Sequence, residues 1–251
     1  MTHRPFLISR NKWIVFGLIL LVLSCCVLLP CTQKVRDDEG WSRSQFSLQL
    51  IGGALLNYYE TNGRLPPAVV YGKDGRALYS WRVLLLPYVE QAHLYRQFKL
   101  DEPWDSPHNK TLLEKMPKCY VLALAGNDPP GLTRCQVFTG PGTAFERENL
   151  TWDDFPDGRS QTILLAEAGE PVPWTKPVDL DYDPDKPLPP LGGVYGKPVH
   201  ILCYAVFRKP GFNVCFADGS GRFIPSKTDE STIRGLITRN GGESVDLSKI
   251  D

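Results

Sequence analysis

The sequence predicts an α+β protein: an N-terminal transmembrane helix, then an amphipathic helix packed on an antiparallel sheet. Three observations carry this. Trp13 to Pro30 is an uncharged apolar run, Ser42 to Glu60 carries an apolar stripe at helical spacing, and from Val69 to Ile224 short β-rich runs alternate with Gly, Pro and Asp turns. A chain of 251 residues accommodates one sizeable domain beside an anchor.

The first run, WIVFGLILLVLSCCVLLP, spans most of a ~30 Å hydrocarbon core as a helix rising ~1.5 Å per residue. A cleaved signal peptide is the alternative, but its apolar stretch is usually ~7–15 residues and ends in a small-x-small site, which Leu28-Leu29-Pro30-Cys31 is not. Arg4, Arg10 and Lys12 precede the run, whereas Lys34 and Arg36 are followed by Asp37, Asp38 and Glu39. This asymmetry places the N-terminus in the cytoplasm. The expected organisation is a cytoplasmic segment at 1–12, a span at 13–30, a linker at 31–41 and an extracytoplasmic domain at 42–251. Lys+Arg and Asp+Glu both number 28, so no net field attracts nucleic acid, and none is expected as a partner.

In the outer domain, Leu48, Ile51, Leu55 and Tyr58, joined by Phe46, Ala54 and Tyr59, mark the amphipathic helix, and Asn62-Gly63 stops it. Val69-Val70-Tyr71 and Ala77-Leu78-Tyr79 form a hairpin around Asp74-Gly75. Ser80 caps a helix over Trp81 to Leu86, Pro87 interrupts it, and Tyr88 to Phe98 resumes. Ser106-Pro107 opens a short helix to about Met116. Strands follow at Tyr120 to Leu124, Cys135 to Phe138 and Thr162 to Ala166, then a Pro- and Asp-rich loop at Pro171 to Pro190 that reads as too polar for core. His200 to Phe207, Phe212 to Ala217 and Arg222 to Ile224 read as a three-strand meander. Thr228 caps a last helix bearing Ile233, Leu236 and Ile237 on one face, closed by Asn240-Gly241-Gly242.

Little in this pattern points to catalysis. His3, His93, His108 and His200 are scattered, and no G-x-S-x-G, P-loop or H-E-x-x-H occurs. No enzyme activity or organic cofactor is expected. Glu167 and Asp218 lie where they could face one another, although a turn Asp more commonly bonds its own backbone. One constellation suggests a metal: Asp179, Asp181, Asp183 and Asp185 alternate in the acidic loop, and Ca²⁺ accepts several oxygen ligands in irregular geometry. The spacing is not that of an EF-hand, and a solvated acidic loop is the alternative. Cys25, Cys26 and Cys31 lie in or beside the span. Cys119, Cys135, Cys203 and Cys215 lie in the outer domain without C-x-x-C spacing. If the last meander forms, Cys203 and Cys215 are opposed or diagonal across its first hairpin, within reach of a disulfide.

Several segments in order, SWRVLLLPYVEQAHLY (Ser80 to Tyr95), LDEPWDSPHNKTL (Leu100 to Leu112), GPGTAF (Gly140 to Phe145), PDGRSQTILLAEA (Pro156 to Ala168), PWTKPVDL (Pro173 to Leu180), GFNVCFADGSGRFIP (Gly211 to Pro225) and ITRNGGE (Ile237 to Glu243), resemble a bacterial pilin-like family of unknown function that ends in an H-x9-DG motif. The resemblance implies a prepilin- or pseudopilin-like protein of the cell envelope, with a hydrophobic N-terminal helix, a long helix on an antiparallel sheet and envelope proteins as partners. Some pseudopilins bind calcium in a loop, which adds to the reading of the four aspartates. Arg208 stands where that motif has His, so no role of the His carries over. The prepilin cleavage signal, Gly followed by Phe-Thr-Leu-x-Glu, does not precede the span, and the span holds no acidic residue. An uncleaved signal anchor is therefore expected. An alternative function is a tethered extracytoplasmic module binding a glycan or protein through Trp104, Trp152, Trp174 and Tyr182.

Overall fold

The computed structural model describes residues 42–122, 128–192, 199–201, 204–206, 210–243 and 245–250. The expected span at 13–30 and linker at 31–41 lie outside them. No helix among the described residues is long and apolar enough to cross a membrane.

Among the described residues the helix α1 covers 42–62 and buries Leu48, Ile51, Ala54 and Leu55. It ends where Gly63 takes φ +70, a conformation that costs glycine nothing. The hairpin β1 (Val69–Tyr71) and β2 (Ala77–Ser80) follows as expected, antiparallel and turned at Gly75, φ +78. Ser80 then caps α2 (Trp81–Leu84), its hydroxyl accepting from the Arg82 amide. That helix is a single turn, passing into a 3-10 turn over Leu86–Val89, and the expected resumption is confined to α3 (Ala92–Tyr95). Pro87 removes the donor that would have continued the first helix. The helix expected after Ser106-Pro107 is a 3-10 stretch, Asn109–Lys115. Tyr120 ends another 3-10 turn, Lys118–Tyr120, where a strand was expected.

The main sheet has four antiparallel strands: β3 (Leu132–Gln136), β5 (Ile163–Pro173), β9 (Gly211–Phe216) and β10 (Gly221–Pro225), in the order β10-β9-β5-β3. The short strands β4 (Phe138–Thr139) and β6 (Leu180–Asp181) pair in parallel beside it. The β9–β10 hairpin turns at Asp218-Gly219, as the sequence suggests. The other half of the expected meander does not form. The run from His200 divides into β7 (Val199–Ile201) and β8 (Tyr204–Val206), which pair with each other, and the second edge of β9 is taken by β5. Cys215 therefore lies between Gly221 and Leu165 in the sheet. It is a free, buried thiol, and Cys203 lies outside the described residues.

All six residues of β9 are buried, because both faces of the sheet are covered. Cys215, Ala217 and Leu165 join Leu48, Ile51, Leu55, Trp81 and Trp174 in one core. Phe212, Val214, Phe216 and Ile224 join Ile233, Leu236 and Ile237 of α4 (Glu230–Ile237) in a second. The cap of α4 is Asp229, whose carboxylate accepts from the Ser231 amide, in place of the expected Thr228. Glycines set the helix-to-sheet spacing. A Cβ on Gly52 of α1 would overlap Cys215 Sγ, and one on Gly221 would stand 2.7 Å from Gln49 Cγ.

Candidate functional site

A buried polar arrangement lies inside the first core, where Ser80-Trp81-Arg82, the β3–β4 junction and Asp179 meet. Ser80 and Arg82 are wholly buried, although charged residues are seldom buried unless paired. Arg82 Nη2 reaches Asp179 Oδ1 at 2.5 Å. Its Nε donates to the Cys135 carbonyl at 2.9 Å and its Nη1 to Ser80 Oγ at 2.8 Å. Asp179 Oδ1 also accepts from Trp81 Nε1 at 3.2 Å and from the Val137 amide at 3.0 Å, while Oδ2 has no partner among the described residues. Burial pushes the Asp179 carboxyl above the ordinary aspartate range against the opposing pull of Arg82, the Val137 amide and Trp81.

Around this pair the Tyr120 hydroxyl donates to the Arg82 carbonyl at 2.9 Å, Tyr120 stacks on Trp174, and the Arg82 guanidinium lies 4.8 Å from the Trp81 ring centroid. Desolvation raises the Tyr120 hydroxyl and the Cys135 thiol well above their ordinary values. Every charged group here is turned inward. What the arrangement does is join three distant segments: α2, the β3–β4 strands and the Pro- and Asp-rich loop. That loop is only in part the solvated segment expected from its composition, with Asp181 and residues 184–187 exposed. Trp174, Thr175, Leu180 and Tyr182 are buried, β5 runs on to Pro173, and Arg234 of α4 donates to the carbonyls of Asp183 and Lys186.

A second assembly runs from the buried Thr143 and Arg239 out to the exposed Glu146 and Gly242, where GPGTAF, PDG and ITRNGGE converge. Thr143 bridges Thr238, and the Arg239 amide donates to the Gly142 carbonyl at 2.8 Å. The Arg239 guanidinium pairs with Glu146 at 2.7 Å. Both Asp157 carboxylate oxygens accept from the Gly242 amide, at 3.1 and 3.2 Å. Gly142, Gly158 and Gly242 hold positive φ. The motifs that drew attention in the sequence thus clasp loops to one another.

The four aspartates of the expected calcium loop stand in different settings. Asp179 is taken up by Arg82. Asp181 and Asp185 are exposed, and Asp183 pairs with Lys186 at 2.8 Å and accepts from the Asp185 amide. Among the described residues no three His, Cys, Asp or Glu side chains form a group that could hold a metal ion. Glu167 and Asp218 do not face each other. Glu167 is buried and accepts from Asn213, whereas Asp218 is exposed and accepts from the Ser220 amide and hydroxyl within its own turn. His93 and His108 are exposed; a ring nitrogen of His108 lies 2.8 Å from the Gln97 carbonyl. His3 and Arg208 lie outside the described residues. Of the aromatic residues considered for ligand binding, Trp174 and Tyr182 are core, and Trp174 Nε1 donates to the Leu113 carbonyl. Trp104 and Trp152 are half-buried beneath Lys176 and Arg159.

The Arg82–Asp179 pair escaped the sequence reading because the two residues are 97 positions apart. The available signal was an Arg in an otherwise apolar SWRVLLLP run. Together, the fold and this internal latch define an α+β domain with an antiparallel sheet between two helices. Residues 43–123, from α1 to the turn after Tyr120, match a family model described as "protein of unknown function (DUF1559)". No curated protein and no solved structure matches the chain.

Proposed function

We propose that the chain is a membrane-anchored, pseudopilin-like structural or interaction protein of the cell envelope, with a cytoplasmic N-terminus and an extracytoplasmic domain. The observation that carries the reading is the course of α1. Its described part runs from residue 42, shortly after the apolar run at 13–30, and lies on an antiparallel sheet at glycine-set spacing against Cys215. A helix so placed links an anchor directly to the core of a domain. The ordered segments that resemble the pilin-like family support it further, since they form the latch and the loop clasp that hold the domain together. The missing cleavage signal and the absence of an acidic residue in the apolar run favour a full-length anchor over a polymerising subunit, because an intramembrane carboxylate is costly and is retained where it has a role.

The test has two arms. Protein extracted from membranes that survive alkaline carbonate washing should have an intact mass beginning at Met1 or Thr2, and protease added to spheroplasts should reach the outer domain alone. A mature terminus inside residues 10 to 20, filaments containing the chain, or a chain released by carbonate would overturn the reading.

A further inference from the structure

On the face of α1 turned away from the sheet, two large apolar side chains stand exposed among the exposed polar residues Arg43, Gln49 and Glu60. Phe46, Leu50, Gly53 and Asn57 recur at i, i+4, i+7 and i+11, which puts them on one stripe opposite Leu48, Ile51 and Leu55. Phe46 is 65% exposed and Leu50 41%. A Cβ on Gly53 would meet nothing within 4 Å, and Asn57 is exposed. The sequence pattern grouped Phe46 with the buried stripe, but the structure places it on the far side of the helix.

We propose that this face of α1 rests on the extracytoplasmic surface of the bilayer that holds residues 13–30, with Phe46 and Leu50 inserted at the boundary between headgroups and acyl chains. The inference rests on the anchored reading given above. Two arguments select lipid as the occupant. First, residues 31–41 can extend over no more than roughly 40 Å at ~3.6 Å per residue, so residue 42 of α1 lies within that distance of the bilayer, and a tethered contact needs little affinity of its own. Second, apolarity fades along the stripe: Phe46 and Leu50 stand in the turns closest in sequence to the apolar run, and the same line continues into Gly53 and Asn57. A seam between two copies of the chain would need apolar side chains at the latter positions too, whereas insertion at an interface needs them only where the helix touches lipid. In this arrangement α1 is sandwiched between sheet and membrane, and the domain lies flat on the surface.

The full-length chain, reconstituted in phosphatidylcholine–phosphatidylglycerol vesicles containing doxyl-labelled lipid, tests this. An environment-sensitive fluorescent amino acid replaces Phe46, Leu50 or Asn57, one position per protein. Blue-shifted emission that loses half its intensity or more to the quencher at 46 and 50, with no loss at 57, is the expected result. Co-flotation with vesicles but unquenched probes at 46 and 50 overturns the proposal and leaves the anchor standing. Unquenched probes together with crosslinks from 46 to 46 between chains assign the face to a second copy and overturn it equally. A chain that fails to float with vesicles refutes both the anchor and the proposal.

Discussion

Replacing Asp179 by Ala tests what the latch contributes. The substitution leaves the Arg82 guanidinium, which has no exposed surface, with only the Cys135 carbonyl and Ser80 hydroxyl as acceptors. Removing one partner of a buried ion pair costs about 3–5 kcal/mol, because the remaining charge is uncompensated. Against a total stability of about 5–15 kcal/mol this is a large fraction. At about 2–4 °C per kcal/mol for a domain of this size, the melting temperature should fall by roughly 6–20 °C. The double replacement Arg82→Met with Asp179→Leu removes both desolvation costs and should recover most of the loss, since apolar substitutes for buried pairs are often neutral or better. The assay is thermal and urea unfolding of full-length protein in detergent, followed by near-ultraviolet circular dichroism, which reports on the packed Trp81, Tyr120 and Trp174. A change below about 1 kcal/mol for Asp179→Ala, the scale of a solvent-screened pair, or a double variant no better than the worse single one, would refute the reasoning.

Three further outcomes follow from the same geometry. Because burial raises the Asp179 carboxyl, the folded chain holds its proton more tightly than the unfolded chain. Its contribution is then full below the ordinary aspartate range and is lost as pH rises through the raised value. The stability advantage of the parent over Asp179→Asn should accordingly shrink as pH increases in parallel urea titrations, and an advantage that grows with pH would contradict the desolvation argument. Adjacent glycines of α1 should respond with opposite sign. Gly53→Ala gains about 0.5–1 kcal/mol in an open position, whereas Gly52→Ala meets Cys215 Sγ and loses about 1–3 kcal/mol to overpacking, a loss that Cys215→Ala should relieve in unfolding measurements. Desolvation pushes the Cys119 thiol up to about 11 and the Cys215 thiol up to about 12, and Cys135 has no exposed surface. Iodoacetamide at pH 8 should therefore label these three slowly in the native chain and rapidly in urea, as read by peptide mass spectrometry, because the thiolate is the reactive form.

Local order was legible in the sequence wherever a few neighbouring residues settle the backbone. Asn62-Gly63 ends α1, Asp74-Gly75 and Asp218-Gly219 turn hairpins, Ser80 caps α2, and the apolar period of α1 names Leu48, Ile51 and Leu55 as core. These signals are short-range sterics and hydrogen bonding, which travel with the sequence. The helix lengths after Ser80 and Ser106 were not legible, since caps fix where a helix begins and packing decides how far it continues.

The α+β composition, the antiparallel strands and the helix laid upon them were thus determined by the sequence itself, through periodicity and turn chemistry. Tertiary structure decided the pairing of β9 with β5 in place of the neighbouring 200–207 run, the burial of Trp174, Thr175, Leu180 and Tyr182 in a loop whose composition reads as solvated, and the removal of Asp179 from the alternating aspartates into a pair with Arg82. It also decided which side of α1 carries Phe46. Each of these depends on which distant groups compete for one strand edge, one counter-charge or one helix face. Such competition is resolved by the free energy of the whole packed chain, where burial and pairing outweigh local propensity.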